Sequence, residues 1–252
     1  MSIGINSSGN DYISQIASGS RLNRAADNPA DTGIVEKLEA QTRGYDVGQR
    51  NAEDGRSVLN VADGALSSVT DRLQQMRELA VQASNTAVLS KGDRSAIQKQ
   101  IEQLKQGISD VANSTEFNTK KLLDGSNDAM HIATGADGSG MEIDTGNATL
   151  QALGIEDFDV TKDFDISTID NALAKVNEAR GSIGAQSNSL DYTIGYNTQT
   201  SYNLTKAQSG MEDTDIAKAI SEQKKQELLQ TVQFMMQKKE EEDMHRKASL
   251  LV

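Results

Sequence analysis

Cysteine and tryptophan are absent from this chain of 252 residues, and its single proline is Pro29. Without cysteine no disulfide can stabilise the fold, and with one proline little interrupts a long helix. Aromatic residues make up only 4% of the chain and hydrophobic residues 36%. Because a wide globular core needs more apolar side chains than this, we expect long helices with narrow apolar faces.

The chain also lacks an excess of positive charge. Its 37 acidic and 25 basic residues give a formal net charge of −12. Such a surface repels nucleic acid and anionic membranes, so neither is an expected partner. Residues 1–15 have no basic start followed by an apolar run, and no apolar stretch is long enough to cross a bilayer. We therefore predict no cleaved signal peptide and no membrane insertion.

The patterns of common catalytic and metal sites are absent as well. The only histidines are His131 and His245, which without cysteine cannot build a typical zinc site. The acidic segment 157–165 lacks the central glycine and final glutamate of an EF-hand loop, which predicts a solvated loop. The glycine-rich segment 135–140 lacks the Gly-Lys-Ser/Thr of a phosphate loop. The sequence thus predicts no catalytic residues, no metal, no cofactor and no enzymatic activity.

Helical periodicity is the strongest feature that is present. Apolar residues recur in alternating three- and four-residue steps from Leu59 to Ala87, and again from Ile97 to Val111 after a polar break. This spacing predicts two helices that pair as an antiparallel hairpin. Seams this narrow are not expected to bury themselves within one chain of this composition, so they predict lateral contacts with further copies. The predicted self-assembly seam is Leu59, Ala62, Leu66, Val69, Leu73, Met76, Ala80, Ala83, Ile97, Ile101, Leu104 and Ile108.

The middle of the chain has a different composition. Turn-forming residues and short alternating runs such as Met141–Ile143 predict a small β-hairpin region at about 124–168. Helical spacing resumes from Ile169 to Leu204, and a last apolar stripe follows at 228–236. The predicted fold class is therefore mainly α. Long coiled-coil-like helical rods come from the N- and C-terminal segments, with a small β-hairpin insert between them.

Several segments resemble motifs of the bacterial flagellins, in the order in which that family carries them. The resemblance is specific because it extends over both halves of the chain. The matching segments are 18–30, 50–55, 62–66, 76–83, 115–118 and 121–125 in the first half and 180–185, 203–205 and 213–217 in the second. The chain is most similar to a short, minimal flagellin with little or no outer variable domain.

The resemblance implies a structural subunit of the bacterial flagellar filament, which serves motility and lies outside the cell. It also implies four partners: further copies of the chain, the flagellar export apparatus, an export chaperone and a filament cap. The implied domains are an inner-tube segment with connecting spoke at 1–42, a helical rod layer at 43–208 that includes the hairpin region, and an inner-tube helix at 209–252.

A host receptor is a further implied partner. In many flagellins, the helix that corresponds to the segment around Gln74 contacts the Toll-like receptor that senses flagellin. The resemblance implies a receptor-facing patch of Gln74, Gln75, Leu79 and Gln100. Strongly stimulatory flagellins usually carry Arg at the position of Gln75 and commonly Glu at that of Gln100. Since a neutral amide loses a charge-assisted hydrogen bond at each place, we expect weak recognition.

The C-terminal stripe and two alternative functions complete the predictions. A hook–filament junction protein shares the terminal helices but generally lacks the 77–83 motif. A minor or secreted flagellin variant that acts mainly as a host-binding module is the other alternative. The predicted C-terminal assembly and chaperone segment contains Leu228, Val232, Met235, Leu250 and Leu251.

Overall fold

The computed structural model describes residues 6–24, 26–126 and 129–249. The predicted class, mainly α with a small β insert, is confirmed. The chain divides into two compact units, one of residues 43–201 and the other of residues 1–42 and 202–252. The elements are α1 (Asn6–Ser18), α2 (Pro29–Ala83), α3 (Lys91–Ser114), β1 (Glu116–Phe117), β2 (Lys120–Lys121), β3 (Met130–Ala133), β4 (Gly140–Ile143), α4 (Leu150–Leu153), α5 (Ser167–Glu212) and α6 (Ile216–Ser249).

The unit of residues 43–201 has a continuous apolar core beneath α2. Leu59, Leu66, Leu73 and Met76 are at most 1% exposed. They belong to one cluster that also draws on α3, on β4 and α4, and on α5. Each buried side chain of this size contributes about 1.5–3 kcal/mol to the stability of the fold. The prediction that this seam needs other copies of the chain for burial is therefore wrong. The chain folds back on itself, and its own later elements cover α2.

Three ion pairs fix the antiparallel register of α2 and α5. Their closest nitrogen–oxygen distances are 2.7 Å for Arg77–Asp170, 2.8 Å for Arg180–Asp63 and 2.8 Å for Arg56–Asp191. All six side chains are between one third and about half exposed, and such pairs typically contribute about 0–1 kcal/mol each. These ion pairs therefore show how α2 and α5 are aligned, but they add little to the stability of the fold.

The second helix of the predicted hairpin begins with a capping box. Ser90 accepts a hydrogen bond from the backbone N–H of Asp93, whose side chain accepts one from the backbone N–H of Ser90. A Cβ atom added to Gly107 would lie 2.2 Å from Nη1 of Arg72, so the guanidinium of α2 lies directly against α3. Because the connection between the two helices is short, they run antiparallel, as predicted.

The strands form two separate hairpins. β3 and β4 are antiparallel, with Met130 opposite Ile143 and Ala133 opposite Gly140, which confirms the predicted hairpin. β1 and β2 form a second hairpin that lies before the predicted region. Sequence periodicity missed it because strands of two residues are too short to show alternation.

The end of β3 is held between α2 and α5. Nδ2 of Asn51 on α2 donates to the carbonyl of Ala133 at 2.8 Å, and Nδ2 of Asn197 on α5 donates to the carbonyl of Thr134 at 2.8 Å. Gly48 of α2 lies so close that a Cβ atom there would be 2.1 Å from the same Thr134 oxygen. These contacts seat the hairpin on the helices through backbone carbonyls.

The acidic segment 157–165 is only partly a solvated loop. Phe158 and Val160 are buried in the core cluster, and backbone carbonyls of this part of the chain accept hydrogen bonds from cationic side chains of α3. Nε of Arg94 donates to the carbonyl of Val160 at 2.9 Å, and Nζ of Lys105 donates to the carbonyl of Glu156 at 2.5 Å. The carboxylates remain outside while the backbone is anchored.

The other unit consists of α1, the start of α2, the end of α5 and α6. α1 packs along α6. After α1, Ser20 forms an isolated antiparallel bridge with Asp213, and the backbone N–H of Arg21 donates to the carbonyl of Glu212 at 2.7 Å. Nη2 of Arg21 lies 3.1 Å from Oδ2 of Asp31. The segment that follows α1 is thus tied by main-chain contacts to the junction of α5 and α6, and by an ion pair to the start of α2.

Candidate assembly and recognition surfaces

A groove between α2 and α3 brings together most of the predicted receptor-facing patch. We call it the α2/α3 groove; its volume is about 640 Å³. Gln75, Leu79 and Gln100 all contribute to its walls, whereas Gln74 is exposed but does not line it. The full lining is Arg72, Gln75, Glu78, Leu79, Gln82, Gln100, Gln103 and Leu104.

The chemistry of this groove is neutral and amphipathic. Leu79 and Leu104 are half-buried and pack against the core cluster, so they supply the apolar part of the lining. Four glutamines supply amides, which both donate and accept hydrogen bonds. Arg72 and Glu78 carry opposite charges. Such a lining can bind a polar or aromatic side chain of another protein, but it holds no nucleophile activated by an adjacent base.

The predicted self-assembly seam lies elsewhere. Eleven of its twelve residues are buried inside one chain, and Leu104 at the groove is half-buried. Their side chains therefore form the core of the subunit and are covered by its own α3 and α5. Periodicity identified the apolar face correctly, but it does not tell whether the same chain or another one covers that face.

The exposed apolar surface of the chain is concentrated on α6. Leu228, Val232 and Met235, which sequence analysis selected, have 64%, 40% and 56% of their surface exposed. Phe234, which it did not select, is 68% exposed and lies off the helical stripe. Leu250 and Leu251 lie outside the described residues. An apolar surface of this extent on a protein in water is typical of a contact with another molecule.

A second exposed surface that sequence analysis missed lies on α5. Tyr192 is 82% exposed, and Tyr196 and Tyr202 are each 63% exposed. Composition could have drawn attention to them, because the whole chain has only five tyrosines and four phenylalanines and three of the tyrosines lie on this one helix. Their spacing does not repeat that of the buried stripe, so a search for helical periodicity passes over them.

Neither a membrane span nor a metal site is found in the described part of the chain. None of the described helices contains an apolar stretch long enough to cross a bilayer. Among the described residues, no three histidine, aspartate or glutamate side chains come together as metal ligands would. The α2/α3 groove and the exposed faces of α5 and α6 are therefore the candidate surfaces for contacts with other molecules.

Comparison with known proteins shows what these surfaces belong to. The family model described as the bacterial flagellin N-terminal helical region matches residues 3–128, and that of the C-terminal helical region matches residues 166–242. A flagellin of Halalkalibacterium halodurans is 38% identical over 228 residues, covering 87% of this chain and 84% of the relative. A flagellin of Bacillus subtilis is 35% identical over 263 residues, covering 89% and 86%.

A solved structure extends the same likeness to three dimensions. The crystal structure of Bacillus cereus flagellin matches this one with a TM-score of 0.53 and 29% sequence identity, covering 59% of this chain and 88% of that one. The family is structural and not enzymatic. From both terminal regions, the two curated relatives and this structure, we conclude that the chain belongs to the bacterial flagellin family.

Proposed function

We propose that this chain polymerises with copies of itself into the extracellular filament of a bacterial flagellum, which serves motility. The observation that carries the proposal is that the family's N- and C-terminal helical regions are both present in one chain. The buried seam gives the unit of residues 43–201 a core of its own, and the exposed faces of α5 and α6 remain for contacts between subunits. Repeated head-to-tail contacts that do not close generate an open helical polymer.

We assign α6 to the interior of that polymer, with residues 1–42 and 209–252 as the inner-tube segments and residues 43–208 as the rod layer around them. The support is the exposed apolar surface of α6, because burying such a surface away from water is favourable by about 25 cal/mol per Å². Before export, an export chaperone covers this surface. The flagellar export apparatus and a filament cap then deliver the chain to the growing end.

Electron microscopy of the purified protein tests the filament proposal. We expect long tubes from the full chain above a critical concentration, and none from a chain that ends before Leu228. A matched variant, Lys238→Gln with Lys239→Gln, keeps the apolar residues of α6 and is expected to polymerise. Persistent monomers of the full chain, or normal tubes from the shortened one, would contradict the proposal.

A second proposed role is weak binding to the host Toll-like receptor that senses flagellin. The observation that favours it is the gathering of Gln75, Leu79 and Gln100 in the α2/α3 groove. Because a charged group strengthens a hydrogen bond, Gln75→Arg should tighten binding of the monomer to the receptor ectodomain several-fold. Gln151→Arg, an exposed change on α4, adds the same charge outside the groove and should not. Equal affinities of wild type and Gln75→Arg would sink this role.

A further inference from the structure

Tyr192 on α5 presents an aromatic ring that the chain itself leaves uncovered. It is 82% exposed. Tyr196, one turn further along α5, instead packs edge-on against Tyr45, with the ring centroids 6.3 Å apart. A tyrosine has a large apolar body and a hydroxyl that seeks a hydrogen bond, and it is one of the residue types that dominate binding energy at interfaces.

The helix around Tyr192 is unusually bare. Gly184 and Gly195 lie two turns before and one turn after it, and a Cβ atom at either would meet nothing within 4 Å. A glycine inside a helix costs about 1 kcal/mol relative to alanine, and among the described residues no close approach requires these two. They leave the backbone of α5 open beside the ring, where the rim of another molecule can come close.

The α2/α3 groove has the complementary chemistry. Its half-buried leucines, Leu79 and Leu104, can pack against an aromatic ring, and the amides of Gln100 and Gln103 can bond to a phenol hydroxyl. Its volume of about 640 Å³ lies within the range of about 300–1,000 Å³ that is typical of small-molecule sites, so it has room for a tyrosine side chain.

Charge favours a second copy of this chain as the occupant. With a net charge of −12, two copies repel each other over most of their surface. Tyr192 is uncharged, and its neighbour Asp191 is already neutralised by Arg56 at 2.8 Å. The groove carries one charge of each sign, Arg72 and Glu78. Two copies can therefore approach where these two surfaces meet.

We propose that Tyr192 of one copy inserts into the α2/α3 groove of a second copy. The inference rests on the proposed polymerisation and names one of its contacts. Arg56 marks the level of Tyr192 along α2, and the groove is centred about twenty residues further on, roughly 30 Å at 1.5 Å per residue. Tyr192 and the groove therefore lie at different positions along α2 within the unit of residues 43–201. When Tyr192 of one copy fills the groove of a second copy, the two copies are displaced along the helix direction. The groove of the first copy stays open for a further copy.

The critical concentration for polymerisation tests the contact. Tyr192→Ser should raise it about tenfold, as expected for one interface anchor, and Gln103→Ala should raise it less. The double variant should behave like Tyr192→Ser alone, because both changes remove the same contact. Thermal unfolding of the monomers should stay at the wild-type temperature, since both side chains are exposed in one chain.

Two results would overturn the contact while leaving the filament proposal intact. One is a wild-type critical concentration for Tyr192→Ser, and the other is a double variant whose effect is the product of the two single effects. If instead the wild-type chain forms no polymer at all, the filament proposal fails and this contact fails with it.

The absence of cysteine allows a direct test of which surfaces meet. Asn188→Cys, one turn before Tyr192, and Gln103→Cys are made on separate chains, one of which carries a size tag. Mixed filaments treated with a short bis-maleimide linker should yield tagged–untagged dimers, and mixed monomers should not. Asn188→Cys mixed with Gln151→Cys is the control and should give none. Dimers from Asn188→Cys alone would indicate a symmetric contact and overturn the proposal.

Discussion

Thr119 holds a backbone conformation that its side chain disfavours. It follows Asn118 in the two-residue turn between β1 and β2, where φ is +46° at Asn118 and +67° at Thr119. Positive φ at both positions is the pattern of a type I′ turn, which favours Asn-Gly. A residue with a Cβ atom in this region costs about 1–2 kcal/mol, and Thr119 recovers part of that through its hydroxyl, which donates to the Asn118 carbonyl at 2.6 Å.

Thr119→Gly should therefore raise the free energy of unfolding by about 1 kcal/mol. Chemical denaturation of the monomer measures this as a shift of the midpoint at constant slope. Lys120→Gly is the matched control. It places the same residue in β2, at a position outside the left-handed region, and should lower stability by about 0.5–1 kcal/mol. A loss of stability in Thr119→Gly would contradict the turn geometry.

Gly48 is required by packing, because its missing Cβ makes room for a carbonyl. Gly48→Ala would place a methyl group 2.1 Å from the oxygen of Thr134, a backbone atom that cannot rotate away. The end of β3 would have to move off α2 and strain the bond from Asn197. We expect a loss of about 3 kcal/mol, at the upper end of overpacking effects, seen as a lower thermal midpoint.

A glycine-to-alanine change at a second position of α2 separates the effect of packing from that of helix propensity. At Gly64, also on α2, an added Cβ would meet nothing within 4 Å. Gly64→Ala should therefore stabilise the monomer by about 0.5–1 kcal/mol through helix propensity alone. If both variants shift the midpoint in the same direction, the close approach of α2 to the hairpin is wrong.

At the scale of elements, the sequence predicts which face of a helix is buried better than it predicts which other helices cover that face. Helical spacing located the long helices and the side of α2 that is buried, because a 3.6-residue repeat is a local property. It could not show that α3 and α5 cover that side, because the cover depends on contacts between residues far apart, such as Arg77 with Asp170. The hairpin of β1 and β2 and the exposed Tyr192 were missed for a related reason, because neither leaves a periodic pattern in the sequence.

Aspartates in short turns and in the capping box of α3 make stability depend on pH. At Asp165, the hydroxyl of Ser167 and then its backbone N–H donate hydrogen bonds that lower the pKa of the carboxyl below 3.8. Lowered folded-state pKa values stabilise the fold above the unfolded pKa near 3.9, and this stabilisation is lost as pH falls through the folded values. The aspartates with a lowered pKa are Asp93, Asp124, Asp137, Asp159 and Asp165.

We therefore expect the free energy of unfolding of the monomer to fall as the pH is lowered from about 5 to about 2. Asp165→Asn keeps an acceptor oxygen but cannot bind the proton, so its stability should fall less steeply than that of wild type. Asp163→Asn makes the same change of charge in the same loop at an aspartate that is not one of these five, and it serves as the control. Denaturant titrations at each pH would contradict the expectation if Asp165→Asn retained the wild-type slope.

For the whole molecule, charge opposes assembly while apolar and aromatic surfaces favour it. A subunit with net charge −12 must approach identical subunits in a polymer, and the cost depends on how far each charge is felt. That distance is about 10 Å at 0.1 M salt and about 3 Å at 1 M. The family resemblance indicated assembly from the sequence, but which surfaces balance this repulsion emerged only from the burial of the seam and the exposure of α5 and α6.

The balance predicts that sodium chloride promotes polymerisation. The critical concentration should fall steeply as salt is raised from about 0.05 M and should level off toward about 0.5 M, where repulsion is screened. Exchange of Glu240, Glu241 and Glu242 for glutamine takes the net charge from −12 to −9 and should make this dependence shallower. Monomer stability should respond less, because its ion pairs are exposed and individually weak. A critical concentration that rises with salt would show that attraction between opposite charges drives assembly, and a constant one would show that repulsion between subunits does not oppose it.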